Sequence, residues 1–128
     1  MIAEQVRALV KEEPDFILFE TLRSLYDVEI AAAALESAAP DYSYMISVQV
    51  DRNAQTQNGD DVSAIFAFLA KVQHRPTAFG LNCCPGPGAA LAAFEKFAHH
   101  CAYPVVIQPN AGMPQNVDNR MIYMSSPE

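Results

Sequence analysis

The sequence has few features of a secreted or membrane protein. It contains three cysteines in 128 residues, and no apolar run reaches the roughly 18 residues that a membrane-spanning helix needs. Three cysteines, two of them adjacent, do not make a disulfide framework, and in a reducing compartment such thiols are buried, catalytic or metal-bound. Residues 1–7 lack the apolar core of a signal peptide. We therefore predict a cytoplasmic protein with no membrane association.

Basic residues are also scarce. Eight Lys and Arg stand against 15 Asp and Glu, which gives a formal charge of −7, and no basic cluster occurs. This balance argues against a nucleic-acid partner. The sequence also lacks a phosphate-binding G-x-x-x-x-G-K motif and a G-x-G-x-x-G after its first predicted strand, which disfavours a nucleotide-binding open sheet. With 51% hydrophobic residues, the chain can form the core of one domain.

Short apolar runs alternate with helical patterns along the chain. Such alternation favours an α/β fold with a parallel sheet and right-handed crossovers, either an open doubly wound sheet or part of a (β/α)8 barrel. A complete barrel needs about 250 residues, so the barrel interpretation implies a piece of one. The predicted helices are 2–13, 22–39, 62–73 and 86–101, with Asp60 or Asp61 as the cap of the third, and the predicted strands are 15–21, 44–50, 77–83 and 104–108.

Polar residues collect where the predicted strands end. Glu20, Gln49, Asn82 and Asn110 lie at or just after the ends of successive strands. The carboxyl ends of parallel strands share one edge of the sheet, and both candidate architectures place their ligand sites there. Glu20 ends an otherwise apolar strand. In a functional role it would bind an ammonium group or act as a base; in a structural role it would pair with a nearby Arg or Lys or cap the next helix.

The two adjacent cysteines occur in the stretch GLNCCPGPG, between a predicted strand and a helix. A thiol just before a helix N-terminus lies in positive potential, which favours the thiolate. Neighbouring side chains on a strand point to opposite faces, so at most one of Cys83 and Cys84 faces a site. Zinc needs four ligands, which this pair cannot supply. The alternatives are two buried fillers or, less favoured without a C-x-x-C, a redox pair. Cys101 is predicted to be structural.

Three segments together resemble the homocysteine S-methyltransferase family: DFILFET (15–21), GLNC (80–83) and PNAGMP (109–114). The resemblance covers nearly the whole chain, from about residue 2 to 128. It implies a (β/α)8 barrel to which residues 1–128 contribute strands four to seven with their helices, while the N- and C-terminal parts of the barrel lie outside this chain. Relatives with folate- or cobalamin-binding or reductase domains make such modules possible elsewhere in the full-length protein.

The resemblance also implies a chemistry. Family members hold zinc through three cysteines and transfer a methyl group to the thiolate of homocysteine, giving methionine. Cys83 matches the first zinc ligand, and the other two are expected in a G-G-C-C-G motif beyond this chain, so the chain alone is expected to be inactive. Glu20 would hold the substrate's amino group, with Ser47, Asn82 and Asn110 as further substrate contacts. No residue selects the methyl donor, whether methylated cobalamin, S-methylmethionine, S-adenosylmethionine or betaine.

The alternative from a different class is a small, non-enzymatic βα-repeat binding module that is complete as it stands. Such a module needs covered outer strands. Here the two outermost predicted strands, 15–21 and 104–108, are apolar and would expose association-prone edges. The pattern therefore favours the barrel interpretation over this alternative.

Overall fold

The computed structural model describes residues 1–123. A short 3-10 turn, Ala98–His100, extends the last helix. The elements in chain order are α1 (Ile2–Val10), β1 (Ile17–Leu22), α2 (Leu25–Ala38), β2 (Tyr44–Val48), α3 (Val62–Leu69), β3 (Ala78–Asn82), α4 (Pro87–Phe97), β4 (Val105–Gln108), β5 (Pro114–Val117) and β6 (Arg120–Tyr123).

Four of these strands form one parallel sheet in the order β1-β2-β3-β4. Each strand is followed by a helix before the next begins, and this alternation confirms the predicted α/β class. The register places Phe19, Ile46, Phe79 and Val105 side by side across the sheet. Because side chains alternate between faces along a strand, this row lies on one face, where it packs into the hydrophobic core.

The core lies between the sheet and its helices. All five residues of β2 are buried, which fits a central strand covered on both faces. The helices contribute Val28 and Leu35 from α2, Ile65 and Leu69 from α3, and Phe97 at the end of α4. None of the helices within residues 1–123 is both long and apolar enough to cross a bilayer.

Two of the helices, α2 and α3, begin at residues whose side chains cap them. Ser24 caps α2 by accepting a backbone hydrogen bond of 3.0 Å, and Asp61 caps α3 through one of 2.7 Å. Of the two aspartates proposed for α3, Asp61 is therefore the cap. Asp60 instead accepts a 2.8 Å hydrogen bond from the backbone N–H of Leu25. This bond ties the polar loop 51–61 to the start of α2, at the edge where the strands end.

The part of the tail within the described residues forms an antiparallel hairpin, β5–β6, which the sequence analysis left unassigned. Its turn residues, Asp118 and Asn119, both have left-handed backbones, with φ of 49° and 59°. A two-residue turn with both φ values positive matches the twist of a hairpin and favours Asn and Asp. That dipeptide was the available signal for the hairpin.

Candidate functional site

The last part of β1 departs from regular strand geometry. The pairing of β1 with β2 shifts between Phe19 and Leu22, and Thr21 has a φ of 59°. A left-handed backbone is costly for a β-branched residue, so it persists only where other contacts hold it. Those contacts reach across β2, because the backbone N–H of Thr21 donates a 3.1 Å hydrogen bond to Oδ1 of Asn82 at the end of β3.

Asn82 joins the ends of three strands through its side-chain amide. Besides the bond from Thr21, its Oδ1 accepts a 2.8 Å hydrogen bond from Oγ of Ser47 in β2, and its Nδ2 donates to Oγ1 of Thr21 at 2.6 Å. Asn82 and Ser47 are each only 1% exposed. Burying these polar groups is tolerable because they bond to one another. We call the set Thr21, Ser47 and Asn82 the Asn82 clasp.

Cys83 follows the clasp in a left-handed conformation, with a φ of 54°. Its half-buried Sγ lies 3.5 Å from Nδ2 of Asn82 and 3.9 Å from Oγ1 of Thr21. Its backbone is held as well, since its N–H donates to the carbonyl of Gln108 at 3.2 Å and its carbonyl accepts from Nε2 of Gln49 at 3.2 Å. The thiol is therefore presented at the carboxyl end of the sheet by contacts from four strand ends.

The neighbouring thiol has a different environment. Cys84 is fully buried, and its S–H points to the carbonyl of Asn82 at 3.9 Å. Burial raises the pKa of this thiol, and its enclosed sulfur is less accessible to a metal ion than that of Cys83. Of the two adjacent cysteines, only Cys83 is partly open. Cys101 lies away from this pair and donates to the carbonyl of Tyr103 at 3.5 Å.

The other predicted site residues lie at the same end of the sheet. Exposed Asn110 follows β4, where its backbone N–H donates to the carbonyl of Cys84 at 3.0 Å and its Nδ2 lies 3.5 Å from the carbonyl of Cys83. Glu20 is exposed near the end of β1 and lines a cavity of about 210 Å³ between β1 and α1. The structure thus brings Ser47, Asn82, Cys83 and Asn110 together, while the carboxylate of Glu20 stands outside the clasp.

A further cavity, of about 350 Å³, is lined by residues that follow β2, by Arg23 and by Pro85. Its wall is the loop after β2, which Asp51 organises by accepting hydrogen bonds from the backbone N–H groups of Asn53 and Gln55. Partial burial acts to raise the pKa of Asp51, but these backbone hydrogen bonds outweigh it and the pKa is lowered. The lining residues include Arg23, Gln49, Asp51, Gln55, Gln57 and Pro85.

The described residues do not by themselves make a metal centre. Within residues 1–123, no group of three or more His, Cys, Asp or Glu side chains lies close enough to hold an ion. A zinc site needs four ligands, three of them usually from protein when a substrate position stays open. At the carboxyl end of the sheet, the partly exposed thiol of Cys83 is the candidate donor.

Three residues that shape this site were not predicted from the sequence. Gln49 was identified only as a polar residue at a strand end, and Thr21 only as part of the segment DFILFET. Gly80 was noted only as part of the motif, and a Cβ there would lie 2.7 Å from Oγ of Ser47, so the glycine makes room for Ser47 to reach Asn82. The spacing of glycine and asparagine in GLNC was the available signal, but its meaning depends on the residue opposite in β2.

Comparisons with known proteins agree with this geometry. The family model described as homocysteine S-methyltransferase matches residues 1–128. A methionine synthase from Mycobacterium leprae (strain TN) is 26% identical over 104 residues, which cover 78% of this chain and 8% of that protein. The solved apo form of the homocysteine methyltransferase MmuM from Escherichia coli superposes with a TM-score of 0.72 at 25% identity, over 82% of this chain and 39% of that one. This likeness confirms the predicted fold class. The chain thus spans well under half the length of either relative.

Proposed function

The chain belongs to the homocysteine S-methyltransferase family, and we propose that the protein containing it transfers a methyl group to the sulfur of homocysteine, giving methionine. In this reaction the substrate thiolate attacks the methyl carbon of the donor, a sulfur–carbon bond forms, and the donor leaves with the electrons of its broken bond. The observation that carries the proposal is the partly open thiol of Cys83, held at the carboxyl end of a parallel sheet within a family match that spans residues 1–128.

We propose that Cys83 is one of three cysteine ligands to a zinc ion in the complete protein. Its thiol is half-buried and lies beside the end of the sheet, whereas the thiol of Cys84 is enclosed. Zinc bound to thiolates lowers the pKa of a coordinated substrate thiol, so homocysteine can react as a thiolate at neutral pH. The remaining ligands would come from outside residues 1–123, because the described residues contain no group of three His, Cys, Asp or Glu side chains that could hold an ion.

The substrate contacts divide into two kinds. Glu20 is exposed at the end of β1, so its carboxylate is free to receive an ammonium group, and we propose that it binds the α-amino group of homocysteine. Asn110 is exposed beside the carbonyl of Cys83 and is a second proposed contact. Ser47 and Asn82 are buried and bonded to each other, so we propose that their contribution to the substrate pocket is mainly through Cys83 and Thr21.

We further propose that residues 1–128 are the middle of a (β/α)8 barrel whose remaining strands lie outside this chain. Both outer strands of the sheet, β1 and β4, have a backbone edge that pairs with no other strand of the described part. In β4, Val106 is 40% and Ile107 is 37% exposed, which suits a strand that continues into a larger sheet. We also propose that the full-length protein is cytoplasmic. It can carry folate-binding, cobalamin-binding or reductase domains elsewhere in its chain.

The test uses the full-length product of the gene that encodes this chain. Zinc content is measured by elemental analysis, and methionine formation from homocysteine is measured by mass spectrometry with four separate donors: methylcobalamin, S-methylmethionine, S-adenosylmethionine and betaine. We expect one zinc ion per chain and turnover with at least one donor. Cys83→Ser should lose most of the zinc and the turnover, because a hydroxyl is a far poorer zinc ligand than a thiolate.

Cys84→Ser provides the matched control, since it changes the same atom one residue away in a side chain that is enclosed. It should keep the zinc even if it lowers stability. A Cys83→Ser protein that retains zinc and turnover at the level of the unsubstituted protein would overturn the metal assignment. Absence of methionine with all four donors would overturn the proposed reaction and favour the non-enzymatic binding module.

A further inference from the structure

We propose that Asn82 is a positioning residue whose buried amide fixes the place and direction of the Cys83 thiol by joining Thr21 and Ser47. The inference deepens the proposed function and rests on it, because it concerns how the candidate zinc ligand is presented. The amide is unavailable to a substrate, since its oxygen already accepts two hydrogen bonds and its nitrogen already donates to Thr21.

The first step of the argument concerns backbone conformation. Thr21 and Cys83 both have left-handed backbones although neither is glycine, and such residues need surrounding contacts to hold them there. Asn82 touches both, because it binds the backbone and hydroxyl of Thr21 and directly precedes Cys83. The buried side chain of Asn82 therefore stabilises the left-handed backbones of both Thr21 and Cys83 at this end of the sheet.

The second step concerns the thiol itself. The Nδ2 of Asn82 lies 3.5 Å from Sγ of Cys83, and Oγ1 of Thr21 lies 3.9 Å from the same sulfur. Both groups are in turn fixed by their 2.6 Å bond to each other. The sulfur thus rests against a pair of polar groups that cannot move independently, so its direction is set by the clasp rather than by free rotation of the cysteine side chain.

The third step concerns why the clasp can form. Ser47 lies opposite Gly80 in the register between β2 and β3, and a Cβ at Gly80 would come within 2.9 Å of both the Cβ and the Oγ of Ser47. The glycine leaves the space through which Ser47 reaches Asn82. The residues from Gly80 to Cys83 therefore act together. Gly80 leaves room for Ser47, Asn82 accepts a hydrogen bond from Ser47, and Asn82 in turn contacts the sulfur of Cys83.

The experiment measures amide hydrogen exchange by NMR on the full-length protein prepared without zinc. The informative amide is that of Cys83, because it donates to the carbonyl of Gln108 and not to Asn82. Its exchange rate therefore changes in an Asn82 variant only if the backbone of Cys83 is held less firmly. The amide of Phe79, which donates to the carbonyl of Pro104, reports the stability of the sheet. In Asn82→Ala we expect the ratio of the Cys83 rate to the Phe79 rate to rise by about tenfold or more, because local opening precedes global unfolding.

Two further substitutions keep the test decisive if Asn82→Ala does not fold. Thr21→Ala removes the hydroxyl that touches the sulfur, whereas Thr21→Ser keeps it; the ratio should rise in the first and return towards the original value in the second. Asn53→Ala is the matched control, an asparagine in the exposed loop whose amide binds Asp51 at 3.3 Å, and it should leave the ratio unchanged.

An unchanged ratio in Asn82→Ala, or equal ratios in Thr21→Ala and Thr21→Ser, would overturn the inference and leave Asn82 a purely structural residue. These outcomes are separate from the fate of the proposed function, because exchange is measured without zinc, homocysteine or a methyl donor. Failure of the zinc and turnover assays would remove the proposed purpose of the clasp, whereas the exchange ratio decides whether the clasp positions Cys83.

Discussion

The two sides of the parallel sheet differ in how completely they are packed. In β2 every residue is buried, and in β3 four of five are, whereas β4 has no fully buried residue and the hairpin β5–β6 is almost entirely exposed. The packed side also carries the buried polar bonds of the Asn82 clasp. Burial is therefore concentrated in β2 and β3, which also supply Ser47 and Asn82 to the clasp, and β4 contributes mainly a backbone partner.

Cys83 lies at the boundary between these two regions. On the packed side its sulfur touches Asn82 and Thr21, and on the open side its N–H donates to the carbonyl of Gln108. The sulfur is thus contacted by residues from the ends of β1 and β3, while Cys83 remains half-buried. The difference between the regions is what allows one cysteine to be presented while the adjacent Cys84 is enclosed.

The largest effect is expected from removing a ring on the packed side. Phe79 is fully buried between Phe66 and Phe97, so Phe79→Ala should lower the free energy of unfolding by about 3 to 5 kcal/mol. Ile107→Ala in β4, where the side chain is 37% exposed, should cost less than about 1.5 kcal/mol. Urea unfolding of both variants measures the contrast. Equal losses would show that β4 is packed as tightly as β3.

A smaller effect is expected from adding a methyl group to each of two glycines. At Gly80 a Cβ would lie 2.6 Å from Cε of Met45 and 2.7 Å from Oγ of Ser47, so Gly80→Ala should destabilise the chain by about 1 to 3 kcal/mol. Gly88, in the first turn of α4, has no atom within 4 Å of that position, so Gly88→Ala should be neutral or stabilising by up to about 1 kcal/mol. Thermal unfolding compares them, and a neutral Gly80→Ala would contradict the close approach of Ser47.

Much of the fold was predictable because it depends on local patterns. Four apolar runs separated by helical segments predict a parallel sheet, and the structure has the same order of elements. The predicted boundaries were too long, since α3 ends at Leu69 rather than at 73. The hairpin was missed because its strands are only four residues long and are exposed, and only the turn at Asp118 and Asn119 marks it.

The site was predictable in its location and less so in its contacts. Parallel strands place their carboxyl ends together, so the grouping of Ser47, Asn82 and Cys83 follows from the strand assignment. The role of Thr21 did not follow, because it depends on a shift in strand pairing and a left-handed backbone that no short sequence pattern signals. The role of Gly80 likewise required knowing which residue lies opposite.

A third prediction concerns the amino end of β2, opposite the clasp. The buried hydroxyl of Tyr44 donates to the carbonyl of His74 at 2.8 Å, and burial, aided by the negative charges of ionised Tyr103 and of Glu36, raises the pKa of Tyr44 to about 12. An unfolded tyrosine ionises near pH 10. The folded state therefore holds its proton more tightly, so this contribution is complete below pH 10 and is lost as the pH rises towards 12.

Tyr44→Phe removes both the hydroxyl and its titration. At pH 7 we expect a loss of about 1 kcal/mol, since one hydrogen bond is gone and a buried carbonyl is left with fewer partners. Between pH 10 and 12 the free energy of unfolding should fall less steeply in the variant than in the unsubstituted chain, as urea titrations at half-unit pH steps would measure. Parallel curves for the two proteins would show that Tyr44 contributes nothing to the alkaline loss.

The smallest effect is expected on the open side. Met121 in β6 is 64% exposed, so Met121→Ser should change the free energy of unfolding by less than about 0.5 kcal/mol. The matched change in the core, Ile65→Ser in α3, should cost several times more, because it places a hydroxyl where a fully buried side chain lay. Measuring both at two protein concentrations adds a further test. A concentration-dependent loss for Met121→Ser would show that the hairpin packs against another chain, in which case the open side of the sheet is an association surface and not a free one.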